Sequence, residues 1–132
     1  GSIAATDLVN WYCGHPRAHR DVIEGALAEP TSVAVIGVGN VAVDVTRVLA
    51  KTTAELDFTD MPQHVLDVLA ATHITELHLL GRRGPAQGAF TTKELRELGE
   101  LLARLRHDSR DRRPGGICRH ARRSGVLRHF AF

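Results

Sequence analysis

The chain has 132 residues, 43% hydrophobic and 24% charged, with a formal net charge of +2, the make-up of one small soluble globular domain or a piece of one. Its longest apolar runs, such as Val33–Ile36 and Leu77–Leu80, fall far short of the ~20 residues needed to cross a bilayer. Asp7 and Asn10 break the first apolar stretch where a secretion signal would need an unbroken one, so the two distant cysteines, Cys13 and Cys118, are expected as reduced thiols in a cytoplasm.

In chain order, Ser2 is a candidate cap for a short helix over 3–12 whose main apolar residues are Ile3, Leu8 and Trp11, and Gly14 and Pro16 stop it. A polar loop carrying His15, Arg17 and His19 follows. Val22, Ile23, Ala26 and Leu27 then make a weak apolar cluster before Pro30. Thr31–Gly37 is short, β-branched and continuously apolar, which predicts a parallel strand covered on both faces. After the bend at residues 37–40, Val41–Lys51 reads as a helix with Val41, Val45, Val48 and Leu49 on its buried stripe and Asp44–Arg47 as an i,i+3 ion pair.

Thr52–Asp60 is expected as polar connecting chain. Pro62–Ala71 reads as a helix capped by Asp60 with Pro62 in its first turn, and Glu76–Leu80 as a second strand. The turn Gly81-Arg82-Arg83-Gly84-Pro85 ends that strand. Thr91 then opens a further helix in a capping box with Glu94, and Leu95, Leu98, Leu101, Leu102 and Leu105 line its buried face. Alternating strands and helices in this order predict an α/β fold with a parallel sheet. Beyond Arg106 the periodicity fails. Residues 1–106 carry ten Lys/Arg and thirteen Asp/Glu, whereas 107–132 carry seven Arg and two Asp, so the basic character belongs to the tail.

Two turns carry the chemistry. Gly37-x-Gly39-x-x-Ala42 matches the dinucleotide fingerprint at the junction of an apolar strand and a helix. Gly37 allows the tight bend, Gly39 lets a pyrophosphate approach the backbone, and Ala42 lets helix and strand pack closely. The amides of Gly39, Asn40 and Val41 would face the phosphates at the positive end of the helix dipole. At the end of the second strand, where an NAD-binding unit places an acidic residue for the ribose hydroxyl, stand Arg82 and Arg83. Paired guanidiniums suit a dianionic 2′-phosphate, which favours NADP over NAD. The spacing from bend to second strand is longer than usual because Thr52–Ala71 is inserted.

Gly37-Val-Gly-Asn-Val-Ala-Val-Asp44, followed by Gly81-Arg-Arg-Gly-Pro-Ala-Gln-Gly-Ala-Phe-Thr-Thr-Lys-Glu-Leu-Arg-Glu-Leu98, resembles the adrenodoxin reductase family of FAD-containing ferredoxin–NADP reductases. The stretch Trp11-Tyr-Cys-Gly-His-Pro16 is also similar to the way that family's chain approaches its NADP domain. The resemblance covers about residues 1–106 and implies a Rossmann-like βαβ NADP-binding unit. It implies the pyrophosphate on Val38–Val41, the 2′-phosphate on Arg82 and Arg83, and Glu94 in contact with the nucleotide. It further implies that Glu97 lies near the nicotinamide–flavin junction and handles protons.

An intact member would pass hydride from NADPH to FAD and single electrons on to a ferredoxin. The family's earlier glycine-rich FAD-binding unit and its return segment have no counterpart here, nor does the second half of the NADP sheet. The expected organisation is therefore a helical lead-in over 1–30, a partial NADP-binding domain over 31–106, and an irregular Arg-rich tail over 107–132 that is disordered or reads like frame-shifted or decayed sequence. NADP binding without catalysis is expected of such a fragment, with no FAD, metal or membrane. Two other readings stay open. One is an interaction protein or nucleic-acid binder driven by the tail arginines, which lacks any recognisable nucleic-acid motif. The other is the NADP domain of a related flavin oxidoreductase, such as a glutamate synthase small-subunit type.

Overall fold

A computed structural model of the chain describes residues 1–81, 91–93, 96–97, 99–100 and 127–131. Helix α1 (Ala5–Tyr12) leads to α2 (Arg20–Ala28), strand β1 (Ser32–Ile36), helices α3 (Asn40–Ala50), α4 (Thr53–Leu56) and α5 (Gln63–Ala71), and strands β2 (Glu76–Leu80) and β3 (Leu127–Ala131). Residues 92–93, 96–97 and 99–100 are also helical. The sheet has the order β1-β2-β3 and is parallel throughout, with Ser32 beside Glu76 and Ile36 beside Leu80. This is the α/β arrangement that the alternation of elements demands.

Several local readings differ from expectation for physical reasons. No side chain caps α1, which starts at Ala5 rather than after Ser2. Gly14 ends it with φ +71°, and a Cβ there would stand 2.9 Å from Cγ of Pro62, so only glycine fits. The cluster Val22–Leu27 is a helix, α2, whose Ile23 and Leu27 are buried while Val22 stays exposed. Within the stretch expected as connecting chain, Thr52 and Glu55 form a reciprocal capping box that starts the one-turn α4. Helix α5 begins at Gln63 with Pro62 as its N-cap, not Asp60.

The core is one cluster. Val35, Leu77 and Leu79 of the sheet meet Ala42, Val43, Val45 and Val48 of α3, and Leu8, Trp11, Tyr12, Ile23, Leu27, Val65 and Leu69 extend it outward. Thr46 is buried among them and satisfies its hydroxyl by donating to the Ala42 carbonyl at 2.7 Å. Val41, expected in the buried stripe, is half-exposed at the first turn of α3, and Ala42 and Val43 take its place.

The expectation that β1 is covered on both faces is corrected. Val35 is buried, but Ser32, Ala34 and Ile36 are exposed, Ile36 at 81%. Paired residues of a parallel ladder share a face, so the alternation leaves one side of β1 uncovered. The expected irregular tail is corrected at its end as well: Leu127–Ala131 pairs with β2 as a third parallel strand. The outer edge of β2 offers unpaired backbone groups, and an extended segment satisfies them whatever the character of the sequence before it. The leucines expected to line the helix after Thr91 lie outside the described residues.

Candidate functional site

The site begins where β1 ends. Gly37 has φ +127°, a conformation that costs any residue with a side chain, and it turns the chain out of the sheet. Its amide donates to the Leu80 carbonyl at 2.8 Å, which ties the bend to the last residue of β2. Gly39 stands in extended conformation as the N-cap of α3 and brings no capping side chain, while its carbonyl accepts from Val43 at 3.1 Å. The first-turn amides of a helix have no partner within the helix itself. The positive end of the helix dipole lies at this turn, a position that favours a negative charge. Among the described residues, a Cβ at Gly39 would meet nothing within 4 Å. Buried Ala42 lies 3.7 Å from where a Gly37 Cβ would stand, the close strand–helix packing its small side chain allows. Val38 packs against the core and Val41 lies half-exposed beside the bend.

Ile36 and Leu80 are neighbours in register, so Gly81 leaves the sheet next to the glycine bend. Arg82, Arg83 and Glu94 lie outside the described residues. Glu97 is described, and its carboxylate is engaged: Arg47 Nη1 donates to Oε2 of Glu97, and Arg47 Nη2 donates to Oδ1 of Asp44. The other Asp44 oxygen accepts from the Tyr12 hydroxyl at 2.6 Å. Burial and the adjoining Asp44 carboxylate both hold the Tyr12 hydroxyl well above its ordinary pKa, because an anion there would be desolvated beside another anion. Burial works against the Arg47 cation, but its bonds to Asp44 and Glu97 outweigh that penalty and raise its pKa.

The i,i+3 pairing of Asp44 with Arg47 was legible in helix spacing. Tyr12 was not, since a hydroxyl 32 positions from its acceptor leaves no local pattern. The bond from Arg47 to Glu97 spans 50 positions and is equally silent in sequence. Trp11, adjacent to Tyr12, donates its indole N–H to Glu24 at 3.1 Å and so secures α1 against α2.

A parallel sheet whose first strand runs through a glycine bend into a helix defines an α/β unit of the nucleotide-binding type. No family model matches the chain. It is 48% identical over 103 residues to the NADPH-ferredoxin reductase FprA of Mycobacterium leprae, a match covering 76% of this chain and 22% of that protein. It is 42% identical over 101 residues to the human mitochondrial NADPH:adrenodoxin oxidoreductase, covering 76% and 20%. Among solved structures, Mycobacterium tuberculosis FprA in complex with NADPH aligns at a TM-score of 0.68 and 48% identity, over 76% of this chain and 22% of that one. A further structure of M. tuberculosis FprA aligns at 0.73 and 36% identity over 100% of this chain and 33% of its own. The chain is homologous to the FprA and adrenodoxin reductases, and it spans about a fifth of the length of the curated relatives it matches. Among the described residues no helix is long and apolar enough to cross a membrane.

Proposed function

We propose that the chain is the NADP(H)-binding portion of a flavin-dependent NADPH–ferredoxin reductase. The observation that carries this reading is the bond from the Gly37 amide to the Leu80 carbonyl: it sets the anion-seeking bend beside the point where the chain departs towards Arg82 and Arg83. The amides at Gly39, Asn40 and Val41 hold the pyrophosphate, with Gly37 shaping the bend and Val38 anchoring it to the core. The two guanidiniums hold the 2′-phosphate, and Glu94 contacts the nucleotide. Glu97 stands on the nicotinamide side and handles protons in the intact enzyme. A flavin belongs to the part of such reductases that this chain does not span, and it supplies hydride acceptance and the release of single electrons to a ferredoxin-type carrier. The glycine bend fits the nicotinamide nucleotide, and we assign no residue of this chain to FAD. We read the chain as a lead-in over 1–30, a nucleotide-binding segment over 31–106 and a segment over 107–132 whose Leu127–Ala131 joins the sheet. The exposed, unpaired thiol of Cys13 suits a reducing cytoplasm.

Titration of the full chain with NADPH and NADH by calorimetry tests the reading. NADPH binds more tightly, and the double variant R82A/R83A brings it to the NADH level, a loss of about 10- to 100-fold for two charge-assisted contacts. Equal affinity for both nucleotides in the unaltered chain would overturn the 2′-phosphate assignment.

A further inference from the structure

The geometry points to Arg47 as a positioning residue for the nucleotide site: its guanidinium, held by Asp44 and through Asp44 by Tyr12, fixes the Glu97 carboxylate against α3. This rests on the functional reading above, which sets Glu97 on the nicotinamide side of the bound nucleotide.

The four groups form a relay across three parts of the chain. Tyr12 is the last residue of α1, Asp44 and Arg47 lie one turn apart on α3, and Glu97 belongs to the helical residues after Thr91. Both oxygens of Asp44 are occupied, one by the Tyr12 hydroxyl and one by Arg47. Its carboxylate is therefore held from two sides and orients the guanidinium. Arg47 spends its two terminal nitrogens on different carboxylates, one on its own helix and one beyond it. The planar fork of arginine presents a separate, fixed nitrogen to each acid, whereas a lysine ammonium would serve both from one point charge.

The cluster holds two carboxylates against one guanidinium. Without Arg47, Asp44 and Glu97 are like charges without their shared counter-ion, and the Glu97 carboxylate loses its described partner on α3. Arg47 also sits two turns, roughly 10 Å, along the helix whose first turn forms the phosphate-binding bend. One rigid helix thus carries the phosphate amides at its start and the anchor of Glu97 further along. Phosphate binding and nicotinamide placement are then referred to the same body.

The experiment compares NADPH with 2′,5′-ADP, which keeps the 2′-phosphate but lacks the nicotinamide half. Both are titrated into the full unaltered chain and into R47M, E97Q and the double variant, with thermal unfolding recorded alongside. R47M weakens NADPH about three- to tenfold and leaves 2′,5′-ADP within about twofold. The double variant R47M/E97Q is no weaker than the worse single one, as expected of two residues acting through each other. R47K keeps the charge without the fork and gives an intermediate loss, and it carries the same test if R47M loses its fold. Unchanged NADPH affinity in R47M overturns the inference. So does an equal fall for both ligands, which would mark Arg47 as a purely structural group. No NADPH binding by the unaltered chain overturns the functional reading itself, and this inference with it, and is distinct from either of those results.

Discussion

At the scale of single residues, two positions are decided by backbone and by charge. Gly37 has a φ that an L side chain rarely adopts, yet a Cβ there meets only ordinary contact with Ala42. Gly37→Ala therefore costs conformational strain rather than a clash, on the order of 1–3 kcal/mol, read from the midpoint of urea unfolding. The requirement for glycine at this point was legible because the fingerprint places it at a strand–helix junction. Tyr12 behaves differently. Its folded hydroxyl titrates above the ordinary value of 10.0 because burial and the Asp44 carboxylate both disfavour the phenolate, so the protonated hydroxyl and its bond to Asp44 contribute fully below pH 10. Above that pH the unfolded chain releases the proton while the folded chain keeps it, and stability falls as pH rises. Tyr12→Phe lowers stability at neutral pH by about 1.5–3 kcal/mol, the range for a hydrogen bond to a charged group. It also flattens the alkaline part of the curve, which thermal unfolding between pH 8 and 11 measures. Nothing in the sequence marked this pair, because the two residues meet only once α1 has docked on α3.

At the scale of elements, apolar runs and helical stripes were the legible part. Strand β2 falls on its expected residues, and β1 and α3 differ from theirs by a residue at each end. The short elements were hidden for separate reasons. Helix α4 is one turn long and shows no periodicity, so its only signal was the Thr52–Glu55 capping box. Thr52→Ala removes the side-chain cap, costs about 1 kcal/mol of local stability, and speeds amide exchange at Glu55 and Leu56 while leaving β1 and β2 unaffected. Helix α2 was masked by Gly25 and by a buried face of only Ile23 and Leu27. The last strand, β3, was illegible because its partner is the edge of β2, a feature of the assembled sheet and not of the tail's own pattern.

At the scale of the whole molecule, β1 is an edge strand with one exposed face among the described residues. The residues on either side of Ser32, Ala34 and Ile36 bond to β2, as the contacts from Thr31 and Gly37 show. Alternation in a parallel ladder then turns the backbone groups of those three residues outward. An exposed edge carrying an apolar residue such as Ile36 invites pairing with another chain. Ile36→Lys lowers self-association in sedimentation equilibrium with little change in unfolding midpoint, because the side chain contributes little to the core. The parallel alignment of the two strands was legible in the order of elements, whereas the bare face was not, since an apolar strand reads the same whether one side or both are covered.

The single tryptophan and the single tyrosine of the chain are consecutive, Trp11 and Tyr12, and each is tied by a hydrogen bond to a different helix. Indole emission and the phenol absorbance band therefore both originate at one junction, where the first helix seats on its neighbours. The protein carries a built-in optical reporter of that docking step, which needs no label.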